Sequence, residues 1–80
     1  MKSFAIEDAL DAVEMETKRA VSLHGPMKSA HEAYGVILEE LDEFWDEVKK
    51  KQSLRDKANM KKELIQVAAM AVRAIADLGL

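Results

Sequence analysis

The residues best suited to chemistry lie in one short acidic segment, EELDEFWDE at positions 39–47. Six of its nine side chains are carboxylates, and no lysine or arginine lies among them. Glu39–Glu43 and Glu43–Glu47 have the i,i+4 spacing at which like charges on a helix repel, at a cost of about 0.2–0.5 kcal/mol per pair. Such a density of oxygen donors suits a hard cation, Mg²⁺ or Mn²⁺. The alternative is a solvated helix face, since charge runs usually face water.

A second acidic site follows the basic segment KKKQSLRDKAN at 49–59. Glu63 and Gln66 have i,i+3 spacing within an otherwise apolar helix, where polar groups need partners. In an antiparallel hairpin of two helices, they would face Glu40 and Glu43. A metal bound by both helices is therefore one hypothesis, and an ion pair between Glu63 and a neighbouring lysine is the alternative.

The elements that must position these residues are helices, because the apolar side chains recur at spacings of three and four. Ser3 is a suitable N-cap for the first helix, and the Gly-Pro pair in LHGPM ends it. Ser29 precedes Glu32 by three residues, the spacing of a capping box. Gly79 suits the end of the third helix. The predicted helices span about 4–22, 29–51 and 54–78.

The last two helices differ in how their apolar residues are distributed. The second has one apolar face, which includes Tyr34, Leu41 and Trp45, and its acidic residues are predicted to lie opposite that face. The third is apolar around most of its circumference from residue 64 to 78, as is typical of interior helices. Three short helices do not easily surround one of their own. The sequence therefore predicts an all-α chain that assembles into an oligomeric, four-helix-type bundle.

Length and composition exclude several other classes. The 80 residues fit a single domain spanning 1–80. The net charge of -3 disfavours nucleic-acid binding, which needs a basic surface. The chain has no cysteine, which fits a reducing compartment. Charges interrupt every apolar stretch that could form a signal peptide or a membrane span. We therefore predict a cytoplasmic protein with no membrane or nucleic-acid partner.

The segments EELDE at 39–43 and ELIQ at 63–66 resemble the MazG-like, all-α nucleoside triphosphate pyrophosphohydrolases. That family has E-E-x-x-E on one helix and E-x-x-D on the next. The resemblance covers about residues 29–78. It implies Mg²⁺-dependent hydrolysis of a nucleoside triphosphate to monophosphate and pyrophosphate by a dimer or tetramer. Gln66 stands where the family has aspartate, which should weaken metal binding.

The resemblance also implies roles for individual residues. Glu40, Glu43, Glu63 and Gln66 match the metal-binding positions, and Glu39 matches a further glutamate that acts as a metal ligand or orients the attacking water. Trp45 is a candidate for the nucleotide pocket. The alternative is a non-catalytic interaction module that keeps the fold. Basic side chains that could bind phosphate are Lys50, Lys51, Arg55, Lys57, Lys61 and Lys62.

Overall fold

The chain forms three α-helices in a computed structural model that describes residues 5–80. The helices are α1 (Ala5–Leu23), α2 (Ala30–Val48) and α3 (Lys57–Leu78), with a 3₁₀ turn at Gln52–Leu54. No strand occurs among these described residues, so the all-α prediction is confirmed for them. The predicted cap Ser3 and the predicted first helical residue, Phe4, lie outside the described residues.

The predicted caps of α2 and α3 are present. The Ser29 hydroxyl accepts a hydrogen bond from the Glu32 amide at 3.0 Å. The Glu32 carboxylate accepts in return from the amide of Lys28, one residue before the position that a standard capping box uses. Gly79 ends α3 with φ +67, a left-handed conformation that glycine adopts without steric cost. Local sequence signals therefore fix these two ends.

The connection between α2 and α3 is longer than predicted, because α2 ends at Val48 instead of 51 and α3 begins at Lys57 instead of 54. Asp56 is the reason for the later start. Its carboxylate accepts hydrogen bonds from the amides of Ala58 and Asn59, which makes it the N-cap of α3. The Asp56 amide donates in turn to the buried carboxylate of Glu47. These bonds fix the corner of the hairpin.

The third helix lies between the other two and packs against both. It runs antiparallel to α2, because Glu47 near the end of α2 bonds Asn59 near the start of α3. At the other end, the amide of Met27 donates to Asp77 at 2.9 Å. The small core contains alanine and methionine side chains: Ala20, Met27, Ala33, Ala69, Met70 and Ala74.

The orientation of α2 corrects the sequence prediction. The side chains of Tyr34, Leu41 and Trp45 are exposed, whereas Glu47 is buried and Glu40 is half-buried. The acidic residues therefore do not all lie on the outer face. The hydrogen bonds that Glu47 makes to the start of α3 fix the rotation of α2. Several large apolar residues of α2 are therefore left facing outward, whereas Phe44 is half-buried.

The chain is open for its size. Its accessible surface is 6170 Å², about a quarter more than the roughly 4,900 Å² expected for a folded monomer of this mass. Its radius of gyration is 14.0 Å, against about 12 Å for a compact domain of this length. Although α3 is central, Leu64, Val72 and Ile75 remain exposed on it. None of the helices described here has both the length and the apolarity needed to cross a lipid bilayer.

Candidate metal and phosphate site

Three carboxylates from α2 and α3 meet at one point. Glu40 and Glu43 lie one turn apart on α2, and Glu63 lies near the start of α3. Each offers an oxygen atom, and these three oxygens lie within 4.8 Å of one another. The antiparallel hairpin brings them together, because residues shortly before the end of α2 face residues shortly after the start of α3. We call Glu40, Glu43 and Glu63 the carboxylate cluster.

Glu63 is the most buried member of the cluster. Its exposed fraction is 6%, and its Oε2 atom is buried without a hydrogen-bond partner. Burying a carboxylate oxygen without a partner is unfavourable, since the oxygen loses its hydration and gains nothing in exchange. An atom of this kind is a suitable ligand for a cation or an acceptor for a proton.

The electrostatics of the cluster favour the addition of positive charge. Burial, together with the negative charges of Glu43 and Glu63, raises the pKa of Glu40 to about 7. Burial also raises the pKa of Glu63, and the negative charge of Glu43 acts in the same direction. Near neutral pH the cluster must therefore bind a proton, bind a cation or bear the repulsion.

The donor set fits a hard divalent cation. All three candidate donors are carboxylates, the chemistry that Mg²⁺ and Mn²⁺ prefer over nitrogen and sulfur donors. Two of these donors come from one helix and the third from its neighbour, so the backbone beneath them is rigid. The unpartnered oxygen of Glu63 is the observation that most directly supports this fit.

The cluster opens into a cleft of about 510 Å³ between α1 and α2, with α3 as its floor. Gln66 lines this cleft one turn beyond Glu63. The pKa of Glu16 is lowered, first by its hydrogen bonds to Arg19 and also by one from Gln66.

Two cations share the cleft with the cluster. Arg19 of α1 and Lys62 of α3 both line it. The Arg19 guanidinium donates to both oxygens of Glu16, at 2.8 and 2.6 Å, and more than half of its side chain is exposed. The positive charge of Lys62 acts on Glu63 and lowers its pKa, against the larger effect of burial. Carboxylates and cations together are what a metal–phosphate ligand requires.

The other predicted phosphate-binding residues lie elsewhere. Lys50 pairs with Glu47 at 3.0 Å, and Arg55 donates to the carbonyl of Val48 at 2.9 Å. Lys57 and Lys61 line a separate apolar groove between α1 and α3. None of these four is among the described residues that line the cleft.

Two further predicted residues lie apart from the cleft. Glu39 is exposed on α2 and belongs neither to the cluster nor to the described lining of the cleft. Trp45 is 57% exposed on the outer face of α2 and is also outside that lining. A nucleotide pocket that includes Trp45 would therefore need a second subunit.

Sequence reasoning missed the contribution of α1. Arg19 and Glu16 reach the cleft because α1 packs alongside α3 with Ala20 buried against it. The only local signal was the i,i+3 pair of opposite charges, which many exposed helices carry. Nothing in the sequence of α1 specifies which of its charged pairs faces α2.

Comparison with known protein families, with curated proteins and with solved structures finds no match for this chain. The site must therefore be interpreted from its own geometry.

Proposed function

We propose that the chain is a Mg²⁺-dependent nucleotide pyrophosphohydrolase that cleaves a nucleoside triphosphate to the monophosphate and pyrophosphate. The observation that carries the proposal is the meeting of Glu40, Glu43 and Glu63 at the edge of a cleft, with one buried oxygen unpartnered. The resemblance of EELDE and ELIQ to the MazG-like pattern supports the same reaction. Mn²⁺ would serve as the alternative metal.

The proposed division of labour follows from the positions of the residues. The carboxylate cluster would hold the metal, with Gln66 available as a neutral oxygen ligand beside it. When bound, Mg²⁺ neutralises phosphate charge and lowers the pKa of a coordinated water. Lys62 and Arg19 would bind phosphate oxygens from the walls of the cleft. Water adds to one phosphorus of the anhydride, and the bridging oxygen leaves with the departing phosphate group.

The proposed enzyme is a homo-oligomer, either a dimer or a tetramer. The excess accessible surface and the outward apolar residues of α2 and α3 support assembly, since monomers rarely expose contiguous apolar patches of this kind. On α2 these residues follow a helical stripe of spacing four, three and four: Tyr34, Leu38, Leu41 and Trp45. A second copy packed on this stripe would give the four-helix-type bundle.

The test is pyrophosphate release from a panel of common and modified nucleoside triphosphates, with and without Mg²⁺. We expect metal-dependent release from at least one of them. Glu43→Gln and Glu63→Gln should each lower turnover by at least about a hundredfold, as removal of charge stabilisation does in other active sites. Asp42→Asn is the matched control on the exposed side of α2 and should retain activity. Failure of the wild type on every nucleotide rejects the proposal.

A second candidate function is a non-catalytic interaction module. Gln66 favours it, because an uncharged amide at the position where the MazG-like pattern has aspartate should weaken metal binding. Isothermal titration with Mg²⁺ and Mn²⁺ separates the two candidates. The enzyme should bind metal at a site that strengthens when a nucleotide is present, whereas the module should show no such site.

A further inference from the structure

Beyond the carboxylate cluster, α3 carries a further polar residue, the buried Arg73. Arg73 lies ten residues after Glu63, which places it about 15 Å farther along the helix. Both residues line the same cleft, so they mark its two ends. The exposed fraction of Arg73 is 6%. Arg73 has no role in the hydrolytic reaction proposed above.

The guanidinium of Arg73 lacks acceptors for much of its hydrogen-bonding capacity. Its Nη2 donates to the carbonyl of Gly25 at 2.9 Å. Its Nη1 reaches only the sulfur of Met70 at 3.6 Å, and a thioether is a weak acceptor. Its Nε is buried without any partner. Two of the three nitrogens therefore have no oxygen acceptor.

The ion pair of Arg73 does not fill this gap. The Asp77 carboxylate lies 3.9 Å from Nη2, and the same oxygen already accepts from the amide of Met27 at 2.9 Å. A buried guanidinium is normally satisfied by close, bidentate acceptors. The arrangement around Arg73 is therefore that of a donor group whose remaining acceptors come from a ligand.

The cleft is lined mostly by charged and polar residues, but it also contains apolar side chains. Ala20, Met27 and Met70 are all buried and all line it. Methionine sulfur makes favourable contacts with aromatic rings and adapts to their shape. The carboxylates at one end of the cleft suit the metal-bound phosphate chain of a ligand. The methionines suit a flat apolar group of that ligand, and Arg73 at the other end suits its hydrogen-bond acceptors.

We propose that Arg73 determines base specificity by donating from Nη1 and from the second N–H of Nη2, which share one edge of the guanidinium, to acceptor atoms on the edge of a nucleobase. The proposal rests on the proposed function for the placement of the phosphates at the carboxylate cluster. Arginine pairs with adjacent acceptors, and the O6 and N7 atoms of guanine provide them, whereas adenine carries a donor amino group in place of O6. Guanine nucleotides are therefore the preferred ligands of this cleft.

The experiment is calorimetric titration of the full chain with GMP and AMP, with and without Mg²⁺, since neither monophosphate has an anhydride bond to be cleaved. The wild type should bind GMP about tenfold more tightly than AMP, the discrimination expected of one good arginine–base pair. Arg73→Met removes every donor while keeping an apolar stem. Arg73→Lys keeps the charge and a donor for the Gly25 carbonyl but loses the planar fork. Both variants should reduce the GMP preference to less than about twofold.

Lys18→Met is the control, since it removes an exposed cation of α1 that does not line the cleft. It should leave the GMP preference unchanged. If Arg73→Met does not fold, as judged by circular dichroism, Arg73→Lys decides. A wild type without base preference, or an Arg73→Lys variant that keeps it, overturns the proposal.

The outcomes separate this inference from the proposed function. Arg73-dependent GMP binding by a chain that hydrolyses no nucleotide would uphold the base site and reject the enzyme. Mg²⁺-dependent hydrolysis with a base preference that Arg73→Lys does not alter would uphold the enzyme and reject the base site.

Discussion

Replacing Glu63 by glutamine should stabilise the metal-free protein and at the same time remove its response to Mg²⁺. These effects have opposite signs, because the same carboxylate is a repelling charge without metal and a ligand with it. A glutamate that only packed against its neighbours, or paired with a lysine, would not produce both. Glu63→Gln nearly preserves the shape of the side chain and removes only the negative charge.

The magnitude follows from the spacing of the cluster. At the 4.8 Å limit that the three oxygens share, two full charges at an effective dielectric constant of 20 repel by about 3.5 kcal/mol. Glu43 is exposed, so solvent screens part of its repulsion. We therefore expect Glu63→Gln to raise the free energy of unfolding by about 1–3 kcal/mol when the cluster is ionised.

The effect of Glu63→Gln on stability depends on pH through the ionisation of Glu40. Its pKa is raised from 4.5 in the unfolded chain to about 7 in the folded one, so the folded state holds its proton more tightly. The stability that this carboxyl contributes is complete below pH 4.5 and is lost as the pH rises through 7. The stabilising effect of Glu63→Gln should therefore be largest above pH 7, where Glu40 is ionised.

The assay is urea unfolding followed by circular dichroism, with and without Mg²⁺, on either side of neutral pH. Mg²⁺ at a hundred times its dissociation constant should stabilise the wild type by about 2.7 kcal/mol and should stabilise Glu63→Gln far less. Asp42→Asn is the control, because it removes one negative charge, as Glu63→Gln does, but at an exposed position of α2. It should retain the Mg²⁺ response. Destabilisation of the metal-free protein by Glu63→Gln, or a wild type indifferent to Mg²⁺, would refute the reasoning.

Three further predictions address other parts of the molecule. Hydrogen bonding, chiefly from the Asp56 amide, lowers the pKa of Glu47 from 4.5 to about 2, so the stability that Glu47 contributes to the fold is complete above pH 4.5 and is lost as the pH falls through 2. Glu47→Gln should lower the urea midpoint near neutral pH and make stability depend less on acid. An unchanged acid dependence of the variant would contradict this prediction. Leu41→Glu and Trp45→Glu should each shift the assembly toward monomers in light scattering after gel filtration, and an unchanged mass would exclude the outer stripe of α2 as the interface. Gln66→Asp should tighten Mg²⁺ binding in calorimetry, and unchanged affinity would place residue 66 outside the metal shell.

The hairpin that carries the site was predictable because its signals are local. Ser29 and Gly79 mark helix ends through bonds to residues only a few positions away. The i,i+3 spacings within α2 and α3 then select which acids share a face, and antiparallel pairing of the two helices brings Glu63 to the same level as Glu43. The corner was misplaced because the local sequence does not show that α3 begins only after Asp56, whereas the bond from the Asp56 amide to Glu47 fixes this start.

The rotation of α2 was not predictable from its own sequence. Large apolar side chains such as Leu41 and Trp45 form its more obvious hydrophobic face. From the sequence of the helix alone, that face would be expected to pack against the rest of the chain. The chain instead buries Ala33 and Glu47, because small residues and hydrogen-bonding partners on α3 determine the contact. Hydrophobic periodicity does not reveal whether an apolar face serves the chain itself or a neighbouring molecule.

The two sides of the cleft are attached to α3 by connections of very different length. The bond from Asn59 to Glu47 spans 12 residues, whereas the bond from Arg73 to Gly25, in the connection that follows α1, spans 48. Because closing a longer loop costs more chain entropy, the α2–α3 hairpin should fold early and α1 should dock late. We expect amide hydrogen exchange to be fastest in α1. Detachment of this helix would open the cleft widely enough for a bulky product to leave, while the hairpin that bears the carboxylates stayed folded.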